Sequence, residues 1–96
     1  MAAVMLFHSV YGLKRVEMDA AERMRRAGHT VALPDLYAGR TADSIEAGFE
    51  IMRSVGWRAI CARGRAALER LPATAVLAGH SMGAGVVGNL WPDRTS

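Results

Sequence analysis

Residues 79–83 read Gly-His-Ser-Met-Gly, which is the pattern G-x-S-x-G. A short apolar run, residues 74–78, precedes the pattern, and a stretch rich in glycine and alanine follows it. This pattern places a serine on a sharp turn from strand to helix, where only small flanking residues fit. The sequence therefore predicts that Ser81 stands at the end of a strand, on a nucleophile elbow. The alternative is a glycine-rich turn that only packs.

Two further strands are predicted, a continuous apolar run at residues 2–7 and a second strand at residues 29–33, which Pro34 ends. Continuous apolar runs are typical of parallel strands that are covered on both faces, and the first run should lie at the centre of the sheet. Helical spacing predicts a helix between them and a second helical stretch over residues 43–71, divided at residues 54–56. The order of elements predicts an α/β fold in three layers, a parallel sheet with helices on both faces.

The helices also carry predicted buried faces. The first is expected to bury Val16, Ala20, Met24 and Ala27, with Glu17 on the charged side. Before the break, Ile45, Phe49 and Met52 share a face, and after it a stripe at helical spacing comprises Trp57, Ile60, Cys61, Gly64, Leu68 and Leu71. In the last helix, Gly85 and Gly88 should continue a small face that packs close to the sheet.

Composition excludes several classes of protein. Ninety-six residues make one domain at most, and the formal charge of +3 comes from eleven Arg and one Lys scattered among acids, so no nucleic-acid partner is expected. Cys61 is the single cysteine, which rules out an internal disulfide, and no metal-ligand set is visible. No apolar run is long enough for a membrane span or a signal-peptide core, which favours a cytoplasmic location.

Three ordered motifs carry a resemblance to a known family. They are His-Ser-Val-Tyr-Gly-Leu at residues 8–13, Leu-Pro-Asp-Leu-Tyr at residues 33–37 with Arg40 after it, and the predicted elbow. Together they resemble the dienelactone hydrolase family of the α/β-hydrolase fold, over essentially the whole chain. The resemblance implies a partial α/β-hydrolase fold with three strands in the order 2-1-3. Residues 1–96 would be the N-terminal portion of one such domain.

The resemblance also implies a site. Ser81 would be the nucleophile toward an ester or lactone, with no cofactor, and the backbone N–H groups of Met82 and Val10 would form the oxyanion hole. Members of the family carry a cysteine and a glutamate where this chain has Ser81 and Ser9, which points to a generic serine esterase. The residues expected to line the mouth are Tyr37, Arg40 and Tyr11. For Arg40, contact with a substrate carboxylate and simple exposure on a loop are equally weighted.

The general base has no obvious candidate. In this fold an acid and then a histidine follow the nucleophile, but after Ser81 the sequence has one acid, Asp93, and no histidine. His80 should point away from the serine hydroxyl, and His8 is a weak candidate base on the first loop. We therefore expect a truncated domain with little turnover.

Two other interpretations stay open. The elbow also resembles those of acyl thioesterases and acyltransferases. The chain could instead be a non-catalytic partial domain that associates through the exposed edge of its third strand.

Overall fold

The computed structural model describes residues 2–94, with side chains described as far as residue 90. The elements are β1 (Ala3–Phe7), α1 (Arg15–Arg26), β2 (Thr30–Ala32), α2 (Ile45–Val55), α3 (Trp57–Leu68), β3 (Val76–Gly79) and α4 (Met82–Arg94). This is the predicted α/β order. Across residues 2–94, no helix has the length and apolar character needed to cross a bilayer.

The three strands form one parallel sheet in the order β2-β1-β3. Val4 of β1 lies opposite Val31 of β2 on one side and Val76 of β3 on the other. The predicted central position of β1 and the predicted order 2-1-3 are both confirmed. Because the strands are parallel, the loops that leave their carboxyl ends meet at one edge of the sheet.

Helices cover both faces of the sheet. Met5 and Phe7, which point to one face of β1, belong to a buried cluster together with residues of α3 and α4. Val4 and Leu6 point to the other face and are equally buried but lie outside that cluster. That face is covered by α1, which contacts β1 and β2. The members of the cluster are Met5, Phe7, Val10, Leu36, Tyr37, Ala42, Ile51, Ile60, Leu68, Met82, Val86 and Leu90.

The buried face of α1 differs from the prediction. Glu17 and Ala21 are wholly buried, whereas Val16 is 60 % exposed. The physical reason is that the Glu17 carboxylate has two partners inside, the backbone N–H of Lys14 at 3.0 Å and the ring of His80 at 3.2 Å. A carboxylate with hydrogen-bond partners can be buried. The buried face of α1 is therefore shifted by about one residue, to Glu17 and Ala21 in place of the predicted Val16 and Ala20.

The buried face of α2 also differs from the prediction. Gly48 and Ile51 face the interior, and the predicted Ile45 and Phe49 are 46 % and 41 % exposed. A Cβ atom on Gly48 would lie 2.7 Å from the carbonyl oxygen of Val10. The missing side chain therefore lets this helix approach the loop after β1 more closely than any other residue would allow.

The stripe on α3 is largely confirmed. Ile60, Cys61, Gly64 and Leu68 are buried, and Leu71 is half-buried beyond the end of the helix. Trp57 is the exception, since it is 42 % exposed. It begins the helix directly after Gly56, where φ is 92° and the two helices change direction.

The predicted small face of α4 does not pack on the sheet, and a Cβ on Gly85 would instead lie 3.2 Å from the indole ring of Trp57. Gly85 and Gly88 are both exposed. Val86 and Leu90 are buried instead, because they enter the cluster beside Phe7. This helix approaches the sheet closely in its first turn, at Gly83.

Candidate functional site

Ser81 lies on the turn between β3 and α4, at the carboxyl edge of the sheet. Its φ is 53°, in the left-handed region that residues with a Cβ seldom occupy, and its side chain is exposed. The turn is closed by hydrogen bonds from the N–H of Gly83 to the carbonyl of His80 at 2.8 Å and from the N–H of Ala84 to that of Ser81 at 2.9 Å. Such backbone strain persists only where the surroundings fix it, and it clusters at functional sites.

The two glycines of the motif are required by close backbone packing. A Cβ on Gly79 would meet the carbonyl group of Gly83 and would lie 2.7 Å from the nitrogen of Ala84. A Cβ on Gly83 would meet the carbonyl oxygen of Phe7 and would lie 2.8 Å from that of His8. The first turn of α4 is therefore seated directly on the end of β1, which presents Ser81 above the sheet.

The loop after β1 makes a second tight turn at this edge. The N–H of Gly12 donates to the carbonyl of Ser9 at 3.0 Å, and the Ser9 hydroxyl accepts from the N–H of Tyr11 at 3.3 Å. The Val10 side chain is buried, and no described residue accepts a hydrogen bond from its N–H. The same is true of the N–H of Met82, the first residue of α4. Within the described chain, neither of the two predicted oxyanion donors gives its hydrogen to a protein acceptor.

The electrostatic field at the turn favours negative charge. Ser81 immediately precedes a helix of 13 residues, and the N-terminus of a helix carries the positive end of its dipole. A developing oxyanion in front of Ser81 would gain from this field as well as from N–H donors.

His8 is not available as a base. Its ring is wholly buried, Nε2 accepts a hydrogen bond from the N–H of Leu36 at 2.9 Å, and Nδ1 lies 2.8 Å from the carbonyl oxygen of Ser9. A carbonyl only accepts, so Nδ1 carries the proton and the lone pair of Nε2 is already used. The ring also packs edge-on against Tyr37, with centroids 5.0 Å apart.

The rings of the other two histidines form no described hydrogen bond with Ser81 either. His29 accepts a hydrogen bond from the N–H of Ala2 at 3.0 Å, at the opposite edge of the sheet. His80 pairs with Glu17 through Nδ1. No described side chain forms a hydrogen bond with the Ser81 hydroxyl, and the side chain of Asp93 lies outside the described residues.

Tyr37 takes a packing role instead of its predicted place at the mouth. It is 0 % exposed, and a side chain without exposed surface cannot contact a substrate. Its hydroxyl lies 3.5 Å from the carbonyl oxygen of Gly48 and 3.3 Å from the sulfur of Met82. Burial raises the pKa of Tyr37 to about 12, so the phenol stays protonated at neutral pH. Tyr37 thus joins α2 to the start of α4 beneath the elbow.

Arg40 and Tyr11 lie nearer the surface. The Arg40 guanidinium is exposed and donates to the Ser54 hydroxyl at 3.3 Å, near the end of α2. Ser54 is six residues beyond Gly48, about 9 Å along the helix from the point that packs on Val10. Tyr11 is half-buried, and the Lys14 ammonium lies 5.8 Å from its ring centroid. Substrate contact by either residue remains a prediction.

Sequence reasoning missed the Glu17–His80 pair. Glu17 occupies the third position of α1 and accepts a hydrogen bond from the N–H of Lys14, the capping residue directly before the helix. A glutamate three residues after a helix start is a known capping signal, and it could have placed this carboxylate at the beginning of α1. No sequence signal pointed to His80 as its second partner. Within residues 2–94, no group of three or more His, Cys, Asp or Glu residues is suited to a metal ion.

Comparison with protein families gave one informative match. A family model described as the dienelactone hydrolase family matches residues 1–88, from β1 into α4. The matched range includes the loop after β1, the segment around Tyr37 and the whole elbow. Searches of the curated proteins and of the solved structures gave no significant match.

Proposed function

Because this chain belongs to the dienelactone hydrolase family, we propose that Ser81 is the nucleophile of a hydrolase that acts on ester or lactone bonds. The observation that carries the proposal is the exposed serine held at φ 53° between β3 and α4. A hydroxyl at this place is free on the solvent side and stands at the positive end of a helix.

The proposed reaction begins with attack of the Ser81 oxygen on the carbonyl carbon. The carbonyl π electrons move to oxygen, and the N–H groups of Met82 and Val10 are the proposed donors to that oxyanion. The Ser81 hydroxyl gives up its proton to solvent water as the new carbon–oxygen bond forms. Collapse then expels the alcohol oxygen, which takes up a proton from water, and leaves an acyl-serine. A water molecule attacks this acyl group, releases the carboxylic acid and leaves Ser81 with its hydroxyl proton restored. One well-placed oxyanion donor is worth about 3 to 4 kcal/mol in other hydrolases.

Removal of the proton from the Ser81 hydroxyl is the slow step of this scheme. No histidine of the chain forms a hydrogen bond with Ser81 as the residues are placed. Loss of the base lowers turnover by roughly 10⁴ to 10⁶ in other serine hydrolases. We therefore expect these 96 residues to hydrolyse esters slowly, even with the proposed nucleophile and oxyanion donors present.

The environment of position 81 can be tested without a base by Ser81→Cys. A thiol at a helix N-terminus loses its proton below the ordinary pKa of about 8.5, so iodoacetamide should alkylate it about tenfold faster at neutral pH than an ordinary exposed thiol. Thr74→Cys is the matched control, because residue 74 is exposed and lies before the amino end of β3. Burial raises the pKa of the native Cys61, which keeps its background reaction low. Peptide mapping separates the sites, and equal rates at positions 81 and 74 would contradict the proposal.

A second candidate function is association with another chain. The observation that favours it is the position of β3 at an edge of the sheet, where Val76 is 52 % exposed. An unpaired strand edge is a template for pairing with a further strand. Self-association through this edge would make the chain a partial domain that is completed by a partner.

Sedimentation over a range of concentrations tests this second candidate. Val76→Lys should shift the chain toward monomer, because a charged side chain discourages strand pairing at an edge. Met18→Lys is the control, since Met18 is a comparably exposed apolar residue on α1. A parent chain that stays monomeric at all concentrations would argue against association.

A further inference from the structure

Glu17 is a buried carboxylate that the proposed reaction does not use. Its side chain is 0 % exposed, and glutamate is almost never buried to this extent unless it is paired. Each of its oxygens has one partner. Oε1 accepts from the N–H of Lys14 at 3.0 Å, and Oε2 lies 3.2 Å from Nδ1 of His80.

The two partners belong to the two segments that carry the proposed oxyanion donors. Lys14 ends the loop that begins at the carboxyl end of β1 and contains Val10. His80 comes directly before Ser81 and Met82, and its own N–H donates to the carbonyl of Phe7 at 3.3 Å. A single carboxylate therefore bridges the loop after β1 and the elbow, and Glu17 is 63 residues from His80 in the chain.

We infer that Glu17 and His80 are positioning residues, which hold the elbow against the loop after β1 so that the N–H groups of Met82 and Val10 keep a fixed relation to Ser81. The inference rests on the proposed function, because the two donors matter only if an oxyanion forms. It concerns orientation of the backbone, and neither residue is assigned contact with the reacting atoms.

The pair also fixes the place of one imidazole proton. A carboxylate oxygen accepts a hydrogen bond, so Nδ1 of His80 carries a proton. The ring side chain is 45 % exposed, whereas Glu17 behind it is fully buried. The Lys14 ammonium does not compete for the carboxylate, since it donates to the carbonyl of Ala42 at 2.9 Å and to Asp43 at 3.2 Å.

Amide hydrogen exchange in the full 96-residue chain distinguishes positioning of the elbow from simple capping of α1. In Glu17→Ala, loss of one hydrogen bond should raise exchange of the Lys14 amide about tenfold. If Glu17 also holds the elbow, the amides of His80 and Gly83 should exchange faster as well. Glu22→Gln is the matched control, because Glu22 lies on the same helix and is exposed beside Arg26. Faster exchange confined to Lys14 would overturn the inference.

His80→Ala provides the reciprocal test and removes a half-exposed side chain, so the fold should survive it. Exchange of the Lys14 amide should again rise, although Lys14 itself keeps its acceptor. Nitrogen NMR of the parent chain should show His80 protonated at Nδ1, and Glu17→Gln should shift it toward the Nε2 form. An unchanged tautomer in Glu17→Gln would contradict the pairing.

Failure of the proposed function gives a different pattern. If Ser81→Cys shows ordinary thiol reactivity while Glu17→Ala still loosens His80 and Gly83, the coupling stands and the hydrolase proposal fails. If Ser81→Cys is activated and adding Glu17→Ala leaves its alkylation rate unchanged, the positioning role fails alone. We expect the thiol of Ser81→Cys to be alkylated fast, and its alkylation rate to fall severalfold when Glu17→Ala is added.

Discussion

Nε2 of His8 accepts a hydrogen bond from the backbone N–H of Leu36 at 2.9 Å, and the His8 side chain is wholly buried. Nδ1 of the same ring lies 2.8 Å from the carbonyl oxygen of Ser9. His8 thus joins the loop after β1 to the loop after β2, at the edge of the sheet where Ser81 stands. The residue that the sequence offered as a weak candidate base is part of the scaffold that shapes the site.

Replacement of His8 by leucine should destabilise the chain strongly. It leaves the N–H of Leu36 without its acceptor and the carbonyl of Ser9 without one donor, and a buried unsatisfied group costs about 1 to 3 kcal/mol. His8→Gln should lose less, because the amide oxygen can still accept from Leu36. The measurement is the free energy of unfolding in urea. Equal stability of the leucine and glutamine variants would show that these hydrogen bonds contribute little.

The order of elements could be predicted because the first and third strands correspond to short apolar runs in the sequence, and the second ends just before Pro34. Residues 2–7 and 74–78 each lie within one residue of observed strand limits at one end, and their parallel pairing follows from the helices between them. The division of the long helical stretch was visible at Gly56, where the backbone requires φ of 92°. The spacing of apolar residues and the residues at the turns were therefore sufficient to predict the order of the elements.

The details of the faces could not be predicted, because apolar spacing counts side chains and overlooks backbone contacts. Gly48 adds nothing to a pattern of apolar side chains, yet the absence of a Cβ at this residue lets that side of α2 pack against Val10. The sequence pattern places Glu17 on the exposed side of its helix, yet a local capping bond from Lys14 and a tertiary contact with His80 accompany its burial. Tyr37 reads as a loop residue at a mouth, but its ring fills the space beneath the elbow, as only the packed structure reveals.

The seat of α4 on β1 predicts opposite effects for two glycines of the same helix. Gly83→Ala should destabilise by about 1 to 3 kcal/mol, since its Cβ would overlap the carbonyl groups of Phe7 and His8. Gly88→Ala should stabilise by about 0.5 to 1 kcal/mol, because no atom lies within 4 Å of its Cβ position and alanine favours the helix. Thermal unfolding of both variants checks this. A stable Gly83→Ala chain would refute the close contact at the elbow.

Burial of Tyr37 predicts that stability declines at alkaline pH. The pKa of its phenol is 10.0 ordinarily and is raised to about 12 in the folded chain. Above pH 10 the unfolded chain releases a proton that the folded chain retains, so stability contributed below pH 10 is lost progressively toward pH 12.

The matched variant for this prediction is Tyr37→Phe, which lacks the titrating group. The difference in unfolding free energy between the parent and this variant should be constant near neutral pH and should shrink at about pH 11. Subtraction removes the titration of Tyr11 and Lys14, which both chains share. A difference that does not change with pH would mean that the phenol ionises as easily in the folded chain as in the unfolded one.

Strain at the elbow predicts that the serine is held there against the preference of its backbone. A left-handed residue with a Cβ costs about 1 to 2 kcal/mol, and glycine avoids this cost, so Ser81→Gly should be about 1 kcal/mol more stable than Ser81→Ala. Ala66→Gly, at an exposed position in the last turn of α3, is the opposite control and should lose up to about 1 kcal/mol. Urea unfolding of the three variants measures both effects. If glycine is as unfavourable at position 81 as at position 66, residue 81 does not have the left-handed backbone that the structure gives it.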